Sequence, residues 1–382
     1  MGFEISVAPH FSRPNWVQID LDALRFNAQN LARAVAPARL IAVIKANAYG
    51  HGAPEIARTL ETLPCVAMLA VAGVDEGREL REAGIVAPIL LLSALLPEEA
   101  GAVIEADLTP TVWTPGLALA LDEVARKSRK LHKIHFKIDS GLHRLGVHWC
   151  EARRAFAAIS GLKNLQIEAV YTHFARADEA LATKNDLNAL QLRRFNEFCG
   201  EVDLDSISPP ISRHVANSAG ALRFPESRFD WVRTGLALYG AHPCRELAPE
   251  IELRPVMTWQ TRVTQLKNVA KGEGVSYGST WIAPRASQIA TLPAGYADGY
   301  LRSLSNRGQI RLGGALCAVV GRVTMDQILV DVTGTGAKIG DIATLWGEGL
   351  PVESVAERAG TISYELLCAV AARVPRVYGG EK

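Results

Sequence analysis

The chain has 382 residues, of which 48% are apolar, and its formal net charge is +1. This length favours two domains, and the balanced charge with no basic stripe argues against nucleic acid as a partner. No apolar run is long enough to span a bilayer, no signal peptide is recognised, and six scattered cysteines without a CxxC pair indicate a reducing, cytoplasmic setting.

Short apolar runs alternate with amphipathic stretches through the first two thirds of the chain. Eight strands are predicted, at residues 16–21, 39–45, 65–71, 87–93, 108–113, 133–139, 167–173 and 211–217. Helices are predicted between them, for example at 20–35, 74–84, 114–128 and 187–202, with Asp20 and Thr114 as N-caps. Repeated strand–helix units favour an α/β fold with a (β/α)8 TIM-type barrel, and an open doubly wound sheet is the alternative.

The pattern changes after about residue 245. Short alternating runs broken by Gly, Asn and Pro, such as "GQIRLGG" and "QILVDVTG", are typical of an antiparallel β domain. We therefore expect residues 14–245 to form the barrel, and residues 246–382, together with 1–13, to form a C-terminal, mainly antiparallel β domain.

Polar side chains recur where the apolar runs of the barrel stop, which is where the active site of such a barrel forms. Lys45 directly follows the run "LIAVI". Desolvation next to a buried strand lowers the pKa of a lysine and favours the neutral, nucleophilic amine. The alternative is a lysine whose stem packs while its ammonium reaches solvent. Other polar residues in such positions are Lys137, Asp139, Arg144, His173, Asn217, Ser218, Arg233 and Tyr239.

At these residues the chain resembles the alanine racemase family, which are pyridoxal-phosphate enzymes of fold type III. The resemblance covers nearly the whole chain and rests on segments in the family's order: "AVIKANAYGHG", "KIDSGLHRLG", "YTHFA", "ANSAG", "VRTGLALYG", "VSYGSTW", "GYADGY", "GRVTMDQ" and "SYELLC". It implies an isomerase that interconverts L-alanine and D-alanine by two-base proton transfer at Cα and supplies D-alanine for the peptidoglycan of a bacterial cell wall.

The resemblance also implies the catalytic groups. Lys45 holds pyridoxal 5'-phosphate as a Schiff base and serves as one base, and Tyr277 is the acid/base on the opposite face. His173 and Arg233 are its neighbours, and Arg233 faces the pyridine nitrogen. An arginine donates a hydrogen bond to that nitrogen without protonating it, which favours a simple proton exchange over transamination.

The remaining site residues follow from the same resemblance. The cofactor phosphate would be held by Tyr49, Ser218, Gly235, Leu236 and Tyr364. The substrate would be bound by Arg144, Met325 and Asp326, with Tyr296 gating access. Lys137 stands where the family often carries a carbamylated lysine that orients the arginine. Ser140 and His143 replace the threonine and glycine that the family usually has beside that arginine.

Taken alone, several of these residues have other interpretations. Tyr49 would then be an aromatic side chain that fills the space below the barrel mouth, and His173 a histidine of the core. Lys137 would pair with Asp139, and Arg233 would form a salt bridge with Asp230. Ser218 would cap a helix, and Tyr296 would be an aromatic residue of a strand.

The family implies a two-fold homodimer in which each site takes Lys45 from one subunit and Tyr277 from the other. No membrane, nucleic-acid or metal partner is expected. The alternatives are another fold-type III enzyme, either a broad-specificity amino-acid racemase or an amino-acid decarboxylase, and a cofactor-carrying regulator. Arg233 argues against the decarboxylase, because such enzymes usually place an acidic group by the pyridine nitrogen.

Overall fold

The computed structural model describes residues 12–179, 187–244 and 251–380. Within it the chain divides into two compact units. One is Leu24–Arg254, and the other combines the residues up to Ala23 with those from Pro255 onward. The divisions expected from the sequence were at residue 14, which lies within the second unit, and between 245 and 246, which lies outside the described residues.

The strands are labelled in chain order. Up to residue 234 they are β1 (Asn15–Asp20), β2 (Arg39–Val43), β3 (Val66–Val71), β4 (Ile89–Leu91), β5 (Thr109–Val112), β6 (His132–Asp139), β7 (Val147–His148), β8 (Leu165–Tyr171), β9 (Ser212–His214) and β10 (Trp231–Thr234). The later strands are β11 (Met257–Arg262), β12 (Gln265–Val269), β13 (Gly274–Val275), β14 (Trp281–Ile282), β15 (Ser287–Leu292), β16 (Gln309–Leu312), β17 (Ala315–Val319), β18 (Ile328–Asp331), β19 (Ile342–Trp346) and β20 (Arg376–Gly379).

The helices are labelled in the same way. They are α1 (Leu21–Val35), α2 (Lys45–Tyr49), α3 (Ala53–Glu61), α4 (Val74–Glu82), α5 (Ala100–Glu105), α6 (Pro115–Lys127), α7 (Ala152–Ser160), α8 (Leu187–Val202), α9 (Ser218–Arg223), α10 (Val352–Ala359) and α11 (Ser363–Ala369). The expected N-caps are present, since Asp20 accepts the main-chain N–H of Asp22 and Ala23, and Thr114 accepts that of Leu117. In the part of the chain that the structure describes, every helix is too short or too polar to cross a bilayer.

The first unit is a parallel barrel. Its strands follow the order β10-β2-β3-β4-β5-β6-β8-β9, and the short β7 pairs with β6 off this path. The two end strands approach each other where Asp230 N–H donates to Arg213 O over 3.2 Å and Arg233 N–H donates to Ala216 O over 2.9 Å. This arrangement confirms the predicted (β/α)8 architecture, and it brings the carboxyl ends of eight strands to one mouth.

One predicted barrel strand is wrong. The segment expected at 16–21 is β1, which pairs antiparallel with β11 and parallel with β20 in the sheet of the second unit. The eighth barrel strand is instead β10, only four residues long, which pairs with β2. An apolar run predicts a strand but carries no information about its partner strands, so β1 could not be assigned to a sheet from its own sequence.

The second unit is a nine-stranded sheet with the order β12-β15-β18-β17-β16-β19-β11-β1-β20. Its pairs are antiparallel except for β1 and β20, which confirms the predicted mainly antiparallel domain. Its core contains Trp16, Trp259 and Trp346, all buried. The rings of Trp259 and Trp346 meet edge to face with centroids 4.5 Å apart, a favourable geometry for aromatic pairs.

Candidate active site

Lys45 begins α2 directly after the barrel strand β2, and this short helix is left-handed. Ala46, Asn47 and Ala48 have φ of 53°, 53° and 52°, and Tyr49 has φ of 52°. For residues with a side chain this conformation costs about 1–2 kcal/mol each. The carboxylate of Glu76 accepts the N–H of Ala46 over 2.7 Å and that of Ala72, just after β3, over 2.6 Å. The turn that carries Lys45 is therefore tied to the neighbouring strand.

Three cationic side chains at the mouth of the barrel, Lys45, Arg144 and Arg233, lie close enough to a fourth, Lys137, to act on its charge. Burial lowers the pKa of Lys137 to about 7, and the fields of Arg233, Arg144 and Lys45 add to this effect, while Asp139 opposes it. Lys137 and Arg233 are buried, Lys45 is half-buried and Arg144 is exposed. A site with this excess of positive charge favours anionic ligands. It also keeps a large share of Lys137 as the neutral amine at neutral pH.

Arg233 is held by a set of acceptors that surround its two terminal nitrogens. Nη1 donates to Nδ1 of His214 over 2.7 Å and to its carbonyl over 3.1 Å. Nη2 donates to Thr172 O, to His173 Nδ1 and to Val215 O over 2.8–2.9 Å. Because these five contacts all involve Nη1 and Nη2, Nε–H is the donor left to serve a ligand.

A salt bridge between Arg233 and Asp230 is not formed. Asp230 instead accepts the main-chain N–H of Arg213 over 2.7 Å and lies 3.8 Å from its Nε. Burial lowers the pKa of Arg233 to about 10, although the nearby Tyr171 raises it. This pKa is far above neutral pH, so the buried guanidinium remains a cation and a donor.

Three residues that the sequence analysis missed extend this network away from the mouth. His214 Nε2 lies 3.0 Å from Nδ1 of His135, and His135 Nε2 lies 3.3 Å from a carboxylate oxygen of Glu168. The other oxygen of Glu168 accepts from Lys133 over 2.6 Å. The signal that could have found His135 is its position two residues before Lys137 in β6, because alternate residues of a strand share a face.

His173 is a neutral donor in this arrangement. Its Nδ1 accepts a hydrogen bond from Arg233, so the neutral ring carries its proton on Nε2. Burial, together with the positive charges of Arg233, Lys137, Arg144 and Lys45, holds the pKa of His173 well below its usual value. His173 is half-buried, so it is not a fully enclosed core histidine, and its ring lies in the field of the charged side chains at the mouth of the barrel. It can assist a neighbouring group through Nε2–H, not through a positive charge.

Ser218, Gly235 and Tyr49 form a small cradle at the carboxyl end of β10. The Ser218 hydroxyl accepts the N–H of Gly235 over 2.9 Å. A Cβ added to Gly235 would lie 2.6 Å from the hydroxyl oxygen of Tyr49, so only a glycine lets this hydroxyl approach the main chain so closely. Leu236 follows, buried, at the start of a 3-10 turn. Ser218 is not the cap of α9, because Asn217 fills that role.

The loop after β6 carries Arg144. One oxygen of Asp139 accepts the N–H groups of residues 141, 142 and 143 over 3.0–3.1 Å, which folds the loop back on the strand. His143 has φ of +56°, a conformation that favours glycine, and its ring is mostly exposed, 3.5 Å from Asp139. In the described chain no Lys137–Asp139 ion pair forms, so the carboxylate serves the loop.

The second unit contributes a cavity of about 690 Å³. Tyr277, Tyr296, Met325 and Asp326, all expected site residues, line it together with Arg302 and Arg322, which the sequence analysis missed. Tyr277 stands on the hairpin between β13 and β14 and is 72% exposed. Tyr296 lies in a 3-10 turn, so it is not a strand aromatic.

The structure thus brings the expected residues together in two groups. The barrel unit holds Lys45, Tyr49, Lys137, Arg144, His173, Ser218, Arg233, Gly235 and Leu236. The second unit holds Tyr277, Tyr296, Met325 and Asp326 around one cavity, and Tyr364 half-buried in α11.

Both units have relatives of known identity. Residues 19–243 match the family profile described as alanine racemase, N-terminal domain, and residues 256–378 match that of the C-terminal domain. The alanine racemase of Halothermothrix orenii is 41% identical over 373 residues, which cover 96% of this chain and 97% of that protein.

Solved structures give the same relationship. The alanine racemase of Clostridium difficile 630 is similar with a TM-score of 0.90 at 36% identity, covering 97% of each chain. The alanine racemase of Bacillus anthracis with bound L-Ala-P has a TM-score of 0.86 at 35% identity, covering 98% of this chain and 96% of that one.

Proposed function

The chain belongs to the alanine racemase family, and on that premise we propose that it interconverts L-alanine and D-alanine with pyridoxal 5'-phosphate as its cofactor, supplying D-alanine for peptidoglycan. The observation that carries the proposal is the cluster of Lys45, Lys137, Arg144 and Arg233 at the barrel mouth. An excess of positive charge at one mouth suits a ligand pair that brings a phosphate and a carboxylate.

The residues of the mouth fit this cofactor. Lys45 supplies an amine that can bind the aldehyde carbon. Ser218, the main chain at Gly235 and the hydroxyl of Tyr49 lie together and form a small polar cradle that suits a phosphate. We assign the main chain of Leu236 and the hydroxyl of Tyr364 to the same phosphate. When bound, pyridoxal phosphate withdraws electrons from the Cα–H bond of the attached amino acid and makes that proton acidic.

Arg233 sets how strongly electrons are withdrawn. Its Nε–H would donate to the ring nitrogen of a bound cofactor and keep its proton, because the guanidinium stays charged at neutral pH. Arg233 would therefore leave that nitrogen unprotonated, which would make the cofactor a weaker electron sink than a pyridinium paired with a carboxylate. This arrangement suits an exchange of the Cα proton and disfavours transamination.

Lys45 and Tyr277 hold the proton on the two faces of Cα. Lys45 removes or returns it on one face as a neutral amine, and Tyr277 does so on the other as phenol or phenolate. A tyrosine has a reference pKa near 10, so it needs help to act as a base. We assign this help to the Nε2–H of His173, whose orientation Arg233 fixes.

Arg144, with the main chain of Met325 and Asp326 of the partner subunit, binds the carboxylate of the substrate, and Tyr296 controls access. Lys137 is proposed as a carbamate. Its neutral amine attacks CO2, a C–N bond forms and one proton is released. The repelling ammonium then becomes an anion that can orient the guanidinium of Arg144.

We propose that the enzyme is a homodimer with shared sites, each combining Lys45 with Tyr277 of the partner subunit. Support comes from Tyr277, Tyr296 and Met325, large side chains that are 72%, 43% and 54% exposed around one cavity. Exposed apolar patches of this kind mark interaction surfaces. Cys65 and Cys150 are thiols, which fits the cytoplasm as the site of action.

Two experiments test the function. Borohydride reduction of the holoenzyme followed by peptide mapping should place the cofactor adduct on Lys45, and incubation with L-alanine in deuterium oxide should give D-alanine labelled at Cα. An adduct on another residue, or no exchange, would overturn the proposal.

A third experiment tests the shared sites. Mixing Lys45→Ala and Tyr277→Phe chains, each inactive alone, should restore activity if the sites are shared.

A further inference from the structure

Asp298 is a fully buried carboxylate between two arginines of the second unit. Arg13 donates to both of its oxygens, one of them over 2.8 Å, and Arg373 Nε donates to Oδ1 over 2.7 Å. The N–H of Gly295 completes the set over 2.8 Å. A buried charge held in this way is satisfied on every side, so the three side chains form one rigid group. We call Arg13, Asp298 and Arg373 the arginine clamp.

The two arginines of the clamp also donate hydrogen bonds to a second aspartate, Asp326. Arg13 Nη2 donates to the carbonyl of Asp326 over 2.8 Å, and Arg373 Nη2 donates to its carboxylate over 2.7 Å. Asp326 is thus held through its main chain by one arginine and through its side chain by the other. The clamp therefore fixes the turn Thr324–Gln327 to the buried Asp298.

In this turn, the three carbonyls at 324–326 are used inside the protein. Tyr296 N–H donates to Thr324 O and Ala297 N–H donates to Met325 O, both over 3.0 Å. Arg13 donates a hydrogen bond to the carbonyl of Asp326. The N–H groups of Met325 and Asp326, in contrast, have no acceptor among the described residues. Met325 and Asp326 line the cavity, so their N–H groups are left to donate to a ligand there, while the acceptors of the turn are already used.

The charges around the turn agree with this orientation. Arg302 and Arg322 line the same cavity, and Arg373 neutralises the carboxylate of Asp326. Without Arg373 the negative charge of Asp326 would lie beside the two main-chain donors and repel an anion. With it, the turn can receive a carboxylate.

We propose that Arg13, Asp298 and Arg373 are positioning residues that hold the Thr324–Gln327 turn so that the N–H groups of Met325 and Asp326 receive the carboxylate of the substrate. The role of the turn rests on the proposed function. The clamp adds two features: it fixes the main chain, and it cancels the charge of Asp326. Neither Arg13 nor Arg373 needs to touch the substrate.

The test is Arg373→Gln in the holoenzyme. We expect KM for alanine to rise about tenfold, the range of a lost charged hydrogen bond, while kcat changes little. Adding Asp326→Asn to this variant should recover most of the loss, because the uncompensated charge is removed. The matched control is Arg285→Gln, which breaks an arginine–aspartate pair with Asp331 in the same unit away from the turn, and should leave KM unchanged.

A second readout does not depend on turnover. Only four methionines occur in the chain, so ¹⁵N-methionine labelling leaves few amide signals, and the one that disappears in Met325→Leu belongs to Met325. Acetate should shift this signal in the wild type and much less in Arg373→Gln. Should Arg373→Gln fold poorly in a thermal unfolding check, Arg13→Gln serves in its place, since it releases the carbonyl of Asp326.

The outcomes separate the two proposals. An unchanged KM and an unchanged acetate shift in the variant would overturn the clamp while alanine racemisation stands. A fall in kcat at constant KM, or no acetate shift in the wild type, would also overturn it. If the wild type does not racemise alanine but acetate shifts the Met325 amide and Arg373→Gln abolishes that shift, the function fails and the clamp stands.

Discussion

Arg233 donates to Nδ1 of His214 over 2.7 Å, and this one bond determines the protonation of a whole chain of side chains. Since an arginine only donates, Nδ1 of His214 accepts and the proton of this ring lies on Nε2. Nε2–H then donates a hydrogen bond to Nδ1 of His135. His135 then donates from Nε2 to Glu168, which as a carboxylate only accepts. Burial lowers the pKa of both histidines, so both are neutral and each tautomer is set from the two ends.

Glu168→Gln should weaken the far end of this chain. The amide oxygen can still accept from Nε2 of His135, but the bond loses its charged partner. We expect kcat/KM to fall about tenfold, the scale of one hydrogen bond to a charged group, while the imidazole ¹⁵N shifts of His214 still report a proton on Nε2, because Arg233 continues to donate to Nδ1. Glu123→Gln, at an exposed pair with Arg126, is the control. A proton on Nδ1 of His214 in Glu168→Gln would argue against the ordering.

Lys137 should make the stability of the cofactor-free protein depend on pH. Its pKa is about 7 in the folded state against 10.5 for a free lysine. Between these values the unfolded chain binds more protons than the folded one, so the free energy of unfolding should increase as pH rises from about 7 to about 10. Below pH 7 both states are protonated and the dependence ends.

Denaturant titrations in CO2-free buffer would measure this slope. Lys137→Met should flatten it, and Lys163→Met, at an exposed position, should not. Bicarbonate should also flatten the slope for the wild type, because a carbamate no longer titrates as an amine, and ¹³C-bicarbonate should label one buried carbonyl. An equal slope in Lys137→Met would show that the amine is not desolvated.

Gly235→Ala should weaken cofactor binding. The added Cβ would lie 2.6 Å from the Tyr49 hydroxyl, so the cradle must distort. We expect the affinity for pyridoxal phosphate, followed by absorbance titration, to drop at least about tenfold, equivalent to about 1.4 kcal/mol. Gly73→Ala, where an added Cβ meets no atom within 4 Å, should bind normally. If both variants bind alike, the cradle does not hold the phosphate.

Glu76→Ala should loosen the turn that carries Lys45. Two main-chain N–H groups, at Ala46 and Ala72, would lose their acceptor. We expect the free energy of unfolding to fall by about 1–3 kcal/mol and the Ala46 amide to exchange faster with deuterium. Glu79→Ala, on the exposed face of α4, is the matched control. Unchanged exchange at Ala46 would show that the turn holds itself.

The barrel was predictable because most of its strands are buried on both faces and are followed by amphipathic helices, a pattern that neighbouring residues determine. The position of β1 was not, because its apolar pattern suits either sheet and only β11 and β20 decide it. Lys45 and Arg233 stood out as charges at the ends of apolar strands. Glu168 and His214 did not, because their partners lie on strands far apart in the sequence.

The sheet of the second unit is assembled from both ends of the chain, with β1 seated between β11 and β20. During synthesis the ribosome releases β1 first and β20 last, with the entire barrel between them. The barrel can therefore fold while the chain is still growing, whereas β1 first waits for β11 and then keeps one edge unpaired until β20 emerges. Loss of the last strand would leave that edge exposed and open to pairing with other nascent chains.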